Sequence, residues 1–335
     1  MLYNINLTER CNLNCKHCFA PKSSHNMSEK VIEETIDFVS KRLLIDDKHN
    51  FNKTVEFMGG EVGLLDPMII SNIIDRINEN TGFNDIQYRL RTNLIYNLTN
   101  EHIEIFKKVN FFGTSYDYGI RFNNKEQEDL WYKNIEIIKS HNIPIDCSFC
   151  ITKTLITTIK PQEFIDFIIK LNLNTYNLMQ LSIPTNQTSE YDRPNNREMD
   201  KWLYEVFLIY EEYNKNHTDK LFIELFECIR DATKGKNYSD FQRNCQRVNM
   251  TIDPMGNVSQ CLFTQHKPYY NLITKKLNYK IYNDWVKYEQ TLKEECQHCN
   301  LLEYCKGTCC LCEWDDSGCP SQKLIFNHIL GVNNE

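Results

Sequence analysis

Residues 3–18 read Tyr3-Asn4-Ile5-Asn6-Leu7-Thr8-Glu9-Arg10-Cys11-Asn12-Leu13-Asn14-Cys15-Lys16-His17-Cys18. The alternating run Tyr3–Leu7 predicts a short β-strand, and the cysteines follow it on a loop, spaced CxxxCxxC. Three thiolates on one short loop can wrap one face of a cubane cluster and bind three of its irons. The fourth iron is then left without a protein ligand. Thiolates suit iron–sulfur clusters or zinc. A structural zinc wants four ligands, so the odd count favours a cluster with an open site. The alternative is a zinc ion completed by His17 or His25.

Working outward, strand-like and helix-like segments alternate through residues 1–183. Further candidate strands are Thr54–Met58, Ile86–Arg91, Phe111–Tyr116, Ile145–Thr152 and Tyr176–Ile183. Ser28 is placed to cap a helix whose apolar face runs Ile32, Ile36, Val39 and Leu43. Other helical patterns cover about 67–79, 100–109, 126–140 and 161–171. Six strand–helix repeats predict an α/β fold: a parallel sheet, open or curled into a partial barrel, with its chemistry at the carboxyl ends of the strands. Residues 184–240 read as a bridge, with the polar stretch Pro184–Arg197, a helix around 197–215 and the apolar run Leu221–Phe226. From Cys245 onward periodicity fades, and Asp253-Pro254-Met255-Gly256 reads as a hairpin turn. The expected division is 1–195 for the barrel, 196–240 for the bridge and 241–335 for a metal-organised region.

Composition limits the function classes. The chain has 335 residues, 41% hydrophobic and 25% charged, with only 11 Gly and 9 Pro, which excludes collagen-like and wholly disordered readings. Its formal charge of −7 comes without a basic face of the kind nucleic-acid binders show. No stretch approaches 18 uncharged apolar residues, so no membrane span is expected. The N-terminus lacks a secretory pattern, and a cytoplasmic location is the expectation. Without an export signal, 15 cysteines point to metal rather than disulfides. Three of them lie within residues 1–18, and nine between 245 and 319.

The CxxxCxxC motif after the first strand resembles that of the radical S-adenosylmethionine (SAM) enzymes, with His17 at an often aromatic position. The resemblance implies that Cys11, Cys15 and Cys18 hold a [4Fe–4S] cluster whose open iron chelates SAM. Reductive cleavage of SAM then yields a 5′-deoxyadenosyl radical that abstracts hydrogen from substrate. Met58-Gly59-Gly60-Glu61 is similar to the family's GGE motif, where the carboxylate would hold the methionine ammonium. Thr92-Asn93 and Ser115-Tyr116-Asp117 are similar to segments near the ribose in peptide-modifying members, although Leu94 and Tyr118 stand where those patterns have Gly. Arg121 sits where some members place an arginine for the SAM carboxylate; a solvated arginine is the alternative.

The C-terminal pattern Cys245-x10-Gly256-x4-Cys261, then Cys296-x2-Cys299-x5-Cys305-x3-Cys309 and later cysteines, resembles the SPASM domain. The implied fold is a partial (β/α)6 TIM-like barrel followed by a small cysteine-rich iron–sulfur SPASM domain. The implied cofactors are SAM and three [4Fe–4S] clusters. Cys296, Cys299, Cys305 and Cys319 would hold a distal auxiliary cluster, with Cys312 competing with Cys319. Cys245, Cys261 and Cys309 would hold a proximal one whose fourth ligand is open. Cys228 is a candidate for it, since Tyr238–Asn244 supplies no cysteine; an open site for substrate is another. Zinc knuckles are the alternative for this region.

Cys147 and Cys150 also read CxxC but fall in a predicted strand, where residues i and i+3 face opposite sides. Cys147 is expected in the core. Cys150, on the other face, is a candidate hydrogen donor.

SPASM-bearing relatives mostly modify ribosomally made peptides, which makes an oxidative thioether or carbon–carbon crosslink the leading expectation. Sulfatase maturation is disfavoured because Leu262 follows Cys261 where those enzymes carry an acidic base. The chain begins at the first strand, so a leader-binding module is expected as a separate protein, or the bridge recognises the peptide. The reductant would be flavodoxin- or ferredoxin-like. Competing expectations are oxidation of a small alcohol or sugar, peptide epimerisation, and a non-catalytic iron–sulfur electron carrier.

Overall fold

The computed structural model describes residues 1–181, 192–236, 241 and 243–332. The last residues of the predicted strand Tyr176–Ile183, and most of Pro184–Arg197 and Tyr238–Asn244, lie outside the described residues. The first part of the chain runs β1 (Leu2–Thr8), α1 (Glu29–Lys48), β2 (Thr54–Gly59), α2 (Pro67–Thr81), β3 (Gln87–Arg91), α3 (Asn100–Lys108), β4 (Phe111–Ser115) and α4 (Lys125–Ser140). It continues through β5 (Ile145–Ile151), α5 (Lys153–Thr158), α6 (Pro161–Leu171), β6 (Thr175–Gln180), α7 (Asn196–Asn216) and α8 (Glu224–Thr233). The C-terminal part holds α9 (Cys245–Val248), β7 (Asn249–Ile252), β8 (Asn257–Ser259), β9 (Tyr270–Asn271), α10 (Tyr279–Gln290), α11 (Glu294–Gln297), α12 (Leu302–Cys305) and α13 (Lys323–Leu330).

Local chemistry explains where the elements start and stop. Ser28 caps α1 by accepting from the Val31 N–H. Asp66 caps α2, with Pro67 fitting the first turn, and Gly82 ends that helix at φ 71°. The short helix α5 was not expected; Thr152 caps it by accepting from the Leu155 N–H.

Strands β1 to β6 form a parallel sheet in sequence order, and β1 also pairs in parallel with β7. The hairpin predicted at 253–256 is present: Gly256 N–H donates to the Asp253 carbonyl (2.9 Å), and β8 and β9 extend the sheet antiparallel. One nine-stranded sheet therefore crosses the expected boundary at 241. Residues 221–223 run extended along β6, where the Tyr176 N–H donates to the Phe222 carbonyl (2.9 Å), before α8 begins.

Alternation sorts the strand residues between two faces. Tyr3, Ile5, Val55, Phe57, Leu90, Phe112, Cys147, Phe149 and Tyr176 are buried against the helices. The other face is polar, and register aligns Thr251, Asn4, Glu56 and Arg89 in one row across it. Arg91 bridges this face, with its Nε donating to Glu56 (3.0 Å) and Nη1 to the Ser148 hydroxyl (3.2 Å). A Cβ at Gly113 would meet Arg91 Nη1 at 2.9 Å, so glycine there makes room for the guanidinium.

Candidate active site

Five strand ends deliver the residues singled out from sequence to one rim of the sheet. The loop after β1 carries Cys11, Cys15 and Cys18, all partly buried. They are near enough to act on one another's charge, and Cys18 N–H turns back to the Cys15 carbonyl (3.2 Å). Burial pushes the Cys11 thiol up and takes Cys15 to about 11. Thiols in such a setting ionise when a metal replaces their protons.

The strand β2 ends in the glycines that carry this loop. A Cβ on Gly59 would lie 2.4 Å from the Thr8 carbonyl oxygen, and one on Gly60 would lie 2.3 Å from that of Arg10. Both glycines are thus needed for packing against the backbone that leads into Cys11. Glu61 follows, almost fully buried. Its Oε1 accepts from the Gly63 N–H (2.7 Å) and the Thr92 hydroxyl, and its Oε2 from the Asn93 N–H. Burial raises its carboxyl pKa despite these donors. Since a carboxylate offers about four acceptor positions, one remains for a ligand.

Thr92 and Asn93 lie at the end of β3, both buried and engaged with protein. The Asn93 amide donates to Asn12 Oδ1 (2.7 Å) and towards Cys11 Sγ (3.7 Å), while its Oδ1 accepts from the Ile95 N–H (2.8 Å). These side chains hold the cysteine loop and Glu61 in place.

Asp117, beyond β4, is the hub of the rim. Its Oδ2 accepts from Arg121 Nη1 (2.8 Å) and pairs with His17 Nε2 (3.0 Å), and its Oδ1 accepts from the Cys150 N–H (2.8 Å). Burial pushes this carboxyl up, but the His17 hydrogen bond and the Arg121 charge outweigh it and hold the pKa well below the usual range. Arg121 is only 12% exposed, so the solvated alternative is overturned: burying a guanidinium calls for the carboxylate it has. Ser115 is half-buried at the end of β4, where it registers with Ser148 on β5.

His17 is the residue that sequence reasoning undervalued. Its signal was present, as a histidine inside the cysteine motif. His17 Nε2 is committed to Asp117, while His25 is half-exposed and bonded to Ser23 (2.8 Å). Among the described residues no three His, Cys, Asp or Glu side chains are gathered for a single metal ion. The donor set does fit a cubane with an open iron and a zwitterionic ligand on it. Three thiols share one loop, Glu61 keeps acceptor capacity, and His17 Nδ1 and Arg121 Nε are buried beside them without a partner among the described residues.

Cys150 and Cys147 separate as the alternation requires. Cys147 is fully buried in the core, whereas Cys150 sits on the polar face. Burial, with the charges of Asp117 and Asp192, keeps the Cys150 thiol pKa well above its ordinary value.

In the C-terminal region Cys296, Cys299, Cys305 and Cys319 line a single pocket with Trp314 and Lys323. Cys245, Cys261 and Cys309 form a second group, each within range of the others' charge. Cys228, the candidate fourth ligand, is buried on α8 in an apolar core with Phe226 and Ile229.

An uncharacterized protein of Methanocaldococcus jannaschii, MJ0907, is 30% identical over 186 residues, which cover 51% of this chain. The match spans 59% of that relative's length. Among solved structures, anSMEcpe with bound AdoMet superposes with a TM-score of 0.77 at 18% identity, covering 98% of this chain and 97% of that one. SuiB of Streptococcus suis bound to S-adenosylmethionine gives a TM-score of 0.63 at 18% identity, covering 92% of this chain and 72% of that one. These likenesses show the fold. Residues 5–171, from β1 through α6, match the Radical SAM superfamily. The chain carries a radical SAM domain, whose cofactors are S-adenosylmethionine and an iron–sulfur cluster.

Proposed function

We propose that this protein is a peptide-modifying radical SAM enzyme, a RiPP-type maturase that oxidises a ribosomally made peptide to a thioether or carbon–carbon crosslink. The observation that carries the reading is the gathering of two further thiol groups, one around Cys296, Cys299, Cys305 and Cys319 and one around Cys245, Cys261 and Cys309. They suit two auxiliary [4Fe–4S] clusters able to accept substrate electrons, with residues 241–335 as a SPASM domain after a 1–195 barrel and a 196–240 bridge. Two proteins of the same fold support a peptide substrate: anSMEcpe has been solved with a Cp18Cys peptide, and SuiB with its precursor peptide SuiA.

When bound, the cofactors supply one-electron cleavage of SAM and hydrogen-atom abstraction. Cys11, Cys15 and Cys18 would hold the SAM-binding cluster. Glu61 would take the methionine ammonium, Arg121 the carboxylate, and the rim of Thr92, Asn93, Ser115 and Asp117 would set the nucleoside's position through the loop it braces. Gly59 and Gly60 bring the β2 end against that loop. A flavodoxin- or ferredoxin-like protein would supply electrons, with leader binding by a separate protein.

Peptide epimerisation is the second reading, favoured by one observation. Cys150 stays protonated on the polar face, its backbone fixed by Asp117. Its S–H could return a hydrogen atom to a substrate radical, the resulting thiyl being re-reduced by the electron donor.

The test is anaerobic incubation with reductant, SAM and the peptide encoded nearest the gene, in deuterated water, followed by mass spectrometry. Loss of about two mass units supports oxidative crosslinking. Solvent deuterium gained without mass loss, and abolished by Cys150→Ala, supports epimerisation. An unchanged peptide with slow SAM cleavage points to a small alcohol or sugar. No cleavage in an iron-loaded protein leaves an electron carrier.

A further inference from the structure

The group of Cys245, Cys261 and Cys309 is one thiol short of a closed cubane site, and the chain is cross-braced around that gap. The Arg243 guanidinium donates to the carbonyls of Thr308 (3.1 Å), Gly307 (3.0 Å), Glu289 (3.1 Å) and Thr291 (2.6 Å). It thereby ties the segment before Cys245 to the segment before Cys309. The Glu289 carboxylate accepts from the backbone N–H groups of Cys245 and Gln246, and Gln260 donates to the Cys245 carbonyl (2.6 Å).

Gly307 and Thr308 both take positive φ, 79° and 50°, and reverse the chain ahead of Cys309. Cys312 N–H closes the following turn on the Cys309 carbonyl (3.0 Å), while Tyr288 donates its hydroxyl proton to the Cys310 carbonyl (3.1 Å). The turn brings the Cys309 sulfur within hydrogen-bonding reach of the Cys310 and Cys312 thiols. Cys310 is within range of the Cys245 charge, and neighbouring residues of α10, Tyr288 and Glu289, bond the Cys310 carbonyl and the Cys245 N–H. Cys312 instead lines a pocket with Gln180, Leu181 and Arg193 at the end of β6.

From this geometry we infer that Cys310 is the fourth ligand of the proximal cluster, closing a four-thiol site with Cys245, Cys261 and Cys309 and replacing the buried Cys228 in that role. The inference rests on the auxiliary-cluster reading above. Ligation exchanges the Cys310 S–H proton, released to solvent, for an Sγ–Fe bond. The site is then closed to substrate.

The test uses the full chain with Cys11→Ala, Cys15→Ala and Cys18→Ala, reconstituted anaerobically so that auxiliary clusters alone remain. About eight irons per chain and two overlapping EPR components are expected on reduction. Adding Cys310→Ala should either lower iron to about four per chain or shift the g-values and midpoint potential of one component. Cys310→Ser, which keeps the packing, should retain iron and shift the same component. Cys312→Ala and Cys228→Ala should match their parent. A parent-like Cys310→Ala and Cys310→Ser, or the shift appearing in Cys312→Ala or Cys228→Ala instead, overturns the assignment. Only about four irons in the parent would defeat the two-cluster reading itself, and this inference with it.

Discussion

Asp117 makes the clearest case at the residue scale. One carboxylate holds a histidine from the cysteine loop, an arginine four residues on and the backbone of β5. Asp117→Asn would leave the Arg121 charge buried without its counterion, a loss of about 3–5 kcal/mol for pairs of this kind. A sharply lower anaerobic melting temperature, with poorer iron retention in the Cys11–Cys18 loop, is the expected outcome. A variant as stable as its parent would show that the rim does not depend on this hub. The sequence singled out Asp117 by resemblance to a motif. It did not show that His17 would be its partner, because the two are 100 residues apart and meet only once β1 and β4 are in one sheet.

Elements meet through backbone as much as through side chains. Gly60→Ala would place a methyl 2.3 Å from the Arg10 carbonyl oxygen, so the β2 end and the cysteine loop must separate. A cost of about 1–3 kcal/mol is expected, read as a lower melting temperature and weaker SAM-induced change in the cluster spectrum. Unchanged SAM binding would mean the loop tolerates the shift. The packing of α7 against α13 supplies a pH-dependent prediction. Asp200 Oδ2 accepts from the Leu324 N–H (3.2 Å) at the start of α13, while Oδ1 is buried without a partner among the described residues. Burial pushes this carboxyl up to about 7, against the pull of the α13 N–H groups and Lys323. Between about pH 4 and about 7 the folded chain keeps a proton the unfolded chain has released, so stability falls as pH rises through that window and is level above it. Asp200→Asn should raise the melting temperature at pH 8, by roughly 2–4 °C per kcal/mol recovered, and change it little at pH 5. An equal shift at both pH values would show that Asp200 does not titrate there.

The sheet of the whole molecule was legible in part. The strand segments read from alternation and spacing lie within a residue or two of β1 to β5, and the helices α2, α3, α4 and α6 are equally close. Two things were not legible. The pairing of β7 with β1 joins residues some 250 apart, and no local pattern encodes a partner at that distance. The polar inner face was written in runs such as Gln87-Tyr88-Arg89-Leu90-Arg91, yet alternation alone does not say whether the polar side meets solvent or a barrel interior. Among the described residues, no helix is long and apolar enough to cross a membrane.

On our proposal, the strand ends assemble a SAM-cleaving site on Cys11, Cys15 and Cys18. The most direct measurement is 5′-deoxyadenosine formed by the anaerobically reconstituted, reduced chain with SAM, compared with Cys15→Ala prepared identically. Formation by the parent and none above background by Cys15→Ala is the predicted result. Undiminished formation by Cys15→Ala, or none by an iron-replete parent, would contradict the account.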